Sequence, residues 1–330
     1  MNLEILQGSA DAISLPDKSV DLVFTSPPYA DARTYGIGAQ RGCQEWINWM
    51  LGVVKECVRV CNGLVLINCA GVTRKWCYWP APEGLLYEWW KQGGRCWRPA
   101  YWRRVGIPGS GGKQWLRADV EYVLAFTAAE TSIPWANNVA NGHPPKWAPG
   151  GEMSHRVSNG ARVNQWGHSI ATGGTGGDID DVSCQSARPS HRIAKRFPAS
   201  KRQHTKSLAD GSDEIQNYAP PVLANPGNIV SVKVGGGMLG HPLAHKNEAP
   251  FPVKLAEWFI RGWCPKGGTV LDPFCGSGTT LHAASNLGRN AIGIDIRESQ
   301  CELSRKRMAD VLGMFAAPSE FLTRAQGGGM

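Results

Sequence analysis

What this sequence lacks closes off several classes of protein. No apolar run in its 330 residues approaches the roughly 20 needed to cross a bilayer as a helix, so no membrane span is expected. Met1-Asn2-Leu3-Glu4 has no basic stretch leading into an apolar one, so no secretory leader is expected and a cytoplasmic location is. Ten cysteines are present but no C-x-x-C pair, and Cys57 and Cys61 stand four apart. That spacing speaks against a disulfide framework and against zinc. The cysteines read as reduced, mostly buried small hydrophobes, with no metal site. No internal repeat is found. Acids are in deficit: 35 Lys and Arg against 27 Asp and Glu give a formal net charge of +8, which favours a polyanionic partner. The 14 tryptophans are many; some belong in a core, and some suit a groove that stacks bases. A hydrophobic content of 42% is that of a folded chain, long enough for one large α/β domain with an insertion, or for two domains.

What is there falls into two densely patterned ends and a different middle. Leu3 to Leu6 reads as a short strand. Val20 to Phe24 reads as a buried parallel strand, a short apolar run ending in turn residues. Apolar residues recur at helical spacing from Trp46 to Val60, and Asn62-Gly63 is expected to end that helix before a strand over Leu64 to Asn68. Trp102 to Val105 and Glu121 to Phe126 are expected to pair as antiparallel strands across a Gly109 to Gly112 loop. Toward the other end, helices are expected over Phe251 to Trp263, Leu281 to Leu287 and Ser299 to Leu312. Strands are expected over Thr269 to Leu271 and Ala291 to Ile294. The middle, roughly 128 to 225, is rich in Gly, Ser, Asn and Pro and poor in apolar runs.

Val270-Leu271-Asp272-Pro273-Phe274-Cys275-Gly276-Ser277-Gly278-Thr279-Thr280 is a strand, a glycine-rich loop and a helix start. Such a loop lets a ligand approach the backbone and offers it a helix N-terminus. A dinucleotide fingerprint needs a small residue where Leu281 stands, and a phosphate-binding P-loop needs a lysine that does not follow Gly278. A structural glycine turn or a methyltransferase cofactor loop remains, and the order of strand, loop, helix, strand and acid favours the cofactor loop. Asp272 would then face the cationic methionine end of the cofactor, and Asp295, ending the next strand, would take the ribose hydroxyls.

The run Asp272-Pro273-Phe274-x-Gly276-Ser277-Gly278-Thr279-Thr280, with Ile292-Gly293-Ile294-Asp295 after it, resembles the cofactor motif of the DNA amino-methyltransferases. His245 to Pro252 resembles their helix-opening motif, which places Glu248 and Phe251 at the cofactor, S-adenosylmethionine. Thr25-Ser26-Pro27-Pro28-Tyr29, directly after a strand, resembles their catalytic motif. The chemistry suits these residue types. An aromatic amine is a poor nucleophile because its lone pair is delocalised, and acceptors on its N–H groups localise that pair. Ser26 Oγ and the Pro27 carbonyl would be those acceptors. Pro28 stiffens the segment, and Tyr29 would stack on a base extruded from the duplex. In this family Ser at the first position marks the cytosine-N4 enzymes and Asp the adenine-N6 enzymes, so N4 of cytosine is the expected target and N6 of adenine the alternative.

The catalytic motif precedes the cofactor motif. This order resembles the β-class arrangement, a Rossmann-like α/β fold in circular permutation with an inserted target-recognition region. The implied division is residues 1–127 as the catalytic half, 128–225 as the insertion and 226–330 as the cofactor half. The first strand would lie beside the strand ending at Asp295, bringing Asp11 and Ala12 to the adenine ring. Arg117 to Leu124 resembles the family's late hairpin. The insertion resembles nothing recognisable, but Arg188, Arg192, Lys195, Arg196, Lys201 and Arg202 fall in an acid-free stretch suited to DNA phosphates. The resemblance implies double-stranded DNA as partner in a bacterial or phage setting. It is compatible with a cognate restriction enzyme and with a homodimer. Two other classes stay open: a cofactor-inactive DNA-binding protein, and a methyltransferase of RNA or of protein amides.

Overall fold

The computed structural model describes residues 1–31, 41–106, 116–128, 130, 132–144, 155–156, 162–163, 203–207, 213–217, 223–235 and 237–313. The chain divides into two compact units, one of residues 1–141 with 225–330 and one of residues 142–224.

The first unit opens with β1 (Leu3–Gln7) and β2 (Val20–Thr25), then α1 (Cys43–Val60), β3 (Cys61–Cys69), the hairpin β4 (Val72–Arg74) and β5 (Cys77–Trp79), and α2 (Ala81–Lys91). The long pair β6 (Arg95–Val105) and β7 (Val120–Thr127) follows. In the second unit, β8 (His155–Arg156) pairs with β9 (Arg162–Val163), and β10 (Gln203–Ser207) with β11 (Asp213–Asn217), both antiparallel. The basic residues Arg188, Arg192, Lys195, Arg196, Lys201 and Arg202 lie outside the described residues, as does the Gly109 to Gly112 loop. The chain returns to the first unit with β12 (Ile229–Lys233), a 3-10 turn (Pro242–Lys246), α3 (Val253–Trp263), β13 (Thr269–Asp272), α4 (Thr279–Asn286), β14 (Asn290–Asp295) and α5 (Glu298–Leu312).

Eight strands form one sheet in the order β1-β14-β13-β2-β3-β7-β6-β12. The five from β1 to β3 run parallel to one another; β7 runs antiparallel to both β3 and β6. Alternation within β2 shows why the sheet needs cover on both sides. Leu22 and Phe24 join the core under α3, α4 and α5, while Val23 joins the core under α1 and α2. The chain leaves β2 through α1 toward β3 on one side, and leaves β13 through α4 toward β14 on the other. The sheet order therefore reverses between β13 and β2. Their carboxyl ends splay apart there, and a crevice is the topological consequence.

Several details depart from the expectations, among them β6, which already begins at Arg95 rather than at Trp102. Asn62-Gly63 does not end α1; that helix stops at Val60 and β3 starts at once. Gly63 serves a strand contact instead, since a Cβ there would stand 2.2 Å from the Asp21 carbonyl oxygen. The helix expected from Phe251 starts two residues later, because Pro252 holds an extended ψ of 139° and serves as the cap. Helix α2 and hairpin β4–β5 were not anticipated. Of the nine described cysteines, Cys57, Cys61, Cys69, Cys264, Cys275 and Cys301 are buried, and all nine are free thiols.

Gly63 and Gly52 make a matched test. Gly63→Ala meets a backbone carbonyl and should cost about 1–3 kcal/mol. Gly52→Ala, in α1 with nothing within 4 Å of the added Cβ, should stabilise by about 0.5–1 kcal/mol. Urea unfolding of both variants reads the two signs.

Candidate active site

The two motifs lie 247 residues apart at their closest link. Parallel pairing of β2 with β13, Leu22 against Val270 and Val23 against Leu271, brings their ends side by side. Asp272 closes the join. Its Oδ1 accepts from Thr25 Oγ1 at 2.5 Å and from the Phe274 amide at 3.1 Å, and its Oδ2 accepts from Thr280 Oγ1 at 2.6 Å. The side chain is only 1% exposed. Burial pushes its carboxyl up to about 6, against the pull of the two threonine hydroxyls. Asp272 thus lies beneath the site rather than in its wall, and ties the start of the catalytic motif to the cofactor loop.

Above it opens a cavity of about 600 Å³. On one side it is lined by Ser26, Pro27, Pro28 and Tyr29. On the other it is lined by Pro273, Phe274, Gly276 and Asp295, with Asp11 and Phe251 at the margins. Those sequence-expected residues are brought together. Ala12, Glu248, Ser277, Gly278 and Thr279 are not in the wall. Glu248 instead grips Arg297, a wall residue, through two contacts of 2.8 and 3.2 Å. Ser277 and Thr279 face the buried Arg307, whose Nη1 reaches the Ser277 carbonyl at 3.1 Å and Thr279 Oγ1 at 3.0 Å. Burial lowers that guanidinium to about 10. Gly278, at φ +78°, lets α5 close on the loop, since a Cβ there would stand 2.4 Å from Ser304 Oγ.

The catalytic segment is held by hydrogen bonds. The Trp46 indole donates to the Pro28 carbonyl at 2.6 Å, and the Pro27 carbonyl has no hydrogen-bond partner among the described residues. Tyr29 Oη donates to Glu121 Oε2 at 2.6 Å, and Asn68 Nδ2 donates to both Tyr29 Oη and Glu121 Oε2 at 2.9 Å. Arg104 pairs with Glu121 Oε1 at 3.0 Å. Burial and the Glu121 charge hold the Tyr29 phenol well above its usual range, so it stays a donor. Asn68, Arg104 and Glu121 all line the cavity, and Asn68 Oδ1 and Arg104 Nε are buried there without partners. Sequence reasoning missed all three. Asn68 was legible in principle, since it ends a parallel strand at the same edge as Thr25 and Asp272. Trp49, which meets Phe274 at 5.5 Å and carries Arg41 over its ring at 4.3 Å, was also missed as a wall residue.

On the other side, Asp295 is buried but still in the wall. Its Oδ2 accepts from the Gly276 amide at 3.1 Å and its Oδ1 from the Arg297 amide at 2.9 Å. Burial raises its carboxyl while those donors oppose the rise. Gly276, at φ +49°, leaves bare backbone where a Cβ would stand 2.7 Å from Asn247 Nδ2. A glycine cradle, a fixed carboxylate and the Phe274 ring are the donor and acceptor set that a nucleoside-bearing cofactor requires, so the residues fit S-adenosylmethionine.

The DNA methylase family model, of the N6/N4 group, matches residues 20–306. The chain belongs to the N6/N4 DNA methylase family. That family is dependent on S-adenosylmethionine. The chain is 39% identical over 70 residues to the orphan methyltransferase M.BamHII of Bacillus amyloliquefaciens, 21% of this chain and 26% of that one. It is 42% identical over 67 residues to the type II methyltransferase M.MjaI of Methanocaldococcus jannaschii, 20% of this chain and 22% of that one. The match thus spans about a quarter of those relatives. Among solved structures, PvuII DNA methyltransferase (cytosine-N4-specific) superposes with a TM-score of 0.58 at 18% identity, covering 93% of this chain and 86% of that one. A protein described as a DNA modification methylase from Thermus thermophilus, complexed with S-adenosyl-L-methionine, gives 0.50 at 21% identity over 96% of both chains. At these identities the likeness establishes the Rossmann-like fold. Among the described residues no helix is long and apolar enough to cross a membrane.

The raised Asp272 carboxyl sets a pH test of the join. Its folded value of about 6 lies above the ordinary 3.8, so the folded state prefers the protonated form. The stabilisation this gives is full below 3.8 and is lost as pH rises through about 6. Asp272→Asn can still donate from Nδ2 to Thr280 Oγ1, which reaches the Phe24 carbonyl at 3.3 Å. It should remove up to about 3 kcal/mol of pH dependence between those limits. Urea midpoints of both proteins from about pH 4 to 7 measure it, and parallel curves would contradict the buried, ionisable join.

Proposed function

We propose that the protein transfers a methyl group from S-adenosylmethionine to the exocyclic N4 amine of cytosine in double-stranded DNA. The observation that carries this reading is the single cavity shared by Ser26-Pro27-Pro28-Tyr29 and the Phe274–Gly276–Asp295 cradle. The bound cofactor supplies an electrophilic methyl on a sulfonium sulfur. Asp295 takes the ribose hydroxyls, its carboxylate aimed by the Gly276 and Arg297 amides, and Asp11 lies on the adenine side. Asp272 is a positioning residue in this account, since it acts through Thr25, Thr280 and the Phe274 amide.

The protein's work on the target amine is mainly orientation. Ser26 Oγ and the Pro27 carbonyl accept its N–H groups and localise the nitrogen lone pair. The Trp46 indole keeps the neighbouring Pro28 carbonyl occupied, which fixes the direction of the pair. Tyr29 stacks on the extruded base, its ring held by Glu121 and Asn68. Positioning by these residues would be their main contribution to rate, and no covalent enzyme intermediate is needed.

Serine at the head of the motif supports cytosine N4 over adenine N6, and the basic stretch from Arg188 to Lys206 supports DNA as substrate, with Arg188, Arg192, Lys195, Arg196, Lys201 and Arg202 on its phosphates. The relatives include an orphan and type II methyltransferases. A role alone and one beside a restriction enzyme both fit that company.

Single-molecule sequencing of DNA from cells expressing the protein should reveal N4-methylcytosine in one short motif. N6-methyladenine instead would overturn the reading of Ser26 and keep the rest. Ser26→Ala and Tyr29→Ala should each lower the single-turnover methylation rate by roughly a hundredfold or more with cofactor affinity little changed. A rate within a few-fold of wild type would remove these residues from the chemistry.

A further inference from the structure

The loop between β4 and β5 is two residues long, Lys75-Trp76, and both adopt positive φ, 47° and 65°. That is the type I′ pattern, which favours Asn-Gly. A bulky aromatic residue there is a backbone outlier that costs energy and persists only where the surroundings impose it. The strain yields no packing, because Trp76 is 87% exposed.

The hairpin is nevertheless anchored. Arg74 binds both the carboxylate and the carbonyl of Asp31, two residues past Tyr29. The hairpin also begins four residues after Asn68, a wall residue. The first strand of the hairpin is therefore tied to the catalytic side of the cavity, through the chain from Asn68 and through Arg74 beside the turn, and the tip presents an exposed planar apolar ring next to Lys75.

We propose that Trp76 is a wedge for duplex DNA: its indole enters the base stack at the gap left when the target base is extruded into the cavity, with Lys75 on the adjacent phosphate. The inference rests on the base-methylating function proposed above and names the element that opens the duplex. A planar aromatic ring can stack on the bases at both faces of the gap and so offset the stacking lost when the target base leaves.

The test compares Trp76→Ala with wild type on two short duplexes carrying the motif found by sequencing. One is fully paired. The other has the target base opposite an abasic site, so that little work is needed to extrude it. The single-turnover rate of Trp76→Ala should fall roughly tenfold to a hundredfold on the paired duplex and return to within a few-fold of wild type on the abasic one. Trp76→Phe should recover part of the loss. Cofactor affinity and melting temperature of the free protein should not fall, since the side chain is 87% exposed. Equal rates for variant and wild type on both duplexes, or an equal loss on both, would overturn the wedge while leaving the methyltransferase reading intact. A wild-type protein inactive on both duplexes would overturn that reading, and the wedge with it.

Discussion

A carboxylate that water barely reaches, holding one threonine from each of two distant segments, is the constraint on which the site depends. Asp272 ends β13, Thr25 ends β2 and Thr280 lies in the first turn of α4. Without that junction the reversal of sheet order would give only a crevice. With it, the proline-rich turn and the glycine-rich loop leave the sheet at a fixed separation. Burying an acid is unfavourable, and its raised carboxyl reflects that cost. Three donors on two oxygens offset it, and they hold each other in place because all share one acceptor group.

The two walls of the cavity are stiffened by different means. The cofactor side is mostly backbone: Gly276 at positive φ, amides on Asp295, and α5 pressed against Gly278 over the buried Arg307. The catalytic side is held by side chains from three strands. Asn68 of β3 and Glu121 of β7 meet at the Tyr29 hydroxyl, and Arg104 of β6 pairs with Glu121 behind it. Antiparallel β6 and β7 thereby do more than extend the sheet, since they bring a charged pair to the floor of the catalytic turn.

Much of this was legible in the sequence, for a physical reason. A parallel strand buried on both faces reads as a short apolar run, and a functional turn after it must carry residues with special backbone demands. Val20 to Tyr29 and Val270 to Thr280 show both signs at once, and β1 beside β14 followed from the order of the motifs. Long-range polar contacts left no such trace. Nothing in the spacing of Asn68, Arg104 and Glu121 shows that they meet, because the pairing of β3, β7 and β6 decides it. Gly63 looked like a helix stop because the same residue type serves helix ends and close strand contacts. Ser277, Gly278 and Thr279 looked like cofactor contacts, and they face α5 instead, because past Gly276 the loop packs against Arg307 and Ser304 as it enters α4. Hairpin β4–β5 was hidden by its length, three residues a strand, with Lys-Trp where a turn signal would be expected.

The most direct test of the shared cavity is a crystal structure of the protein with S-adenosylmethionine bound. The account predicts the ribose hydroxyls on Asp295, the adenine near Phe274, and the methyl group facing Ser26 and Pro27. A cofactor bound outside this cavity, or one whose methyl group points away from the Ser26-Pro27-Pro28-Tyr29 turn, would contradict it.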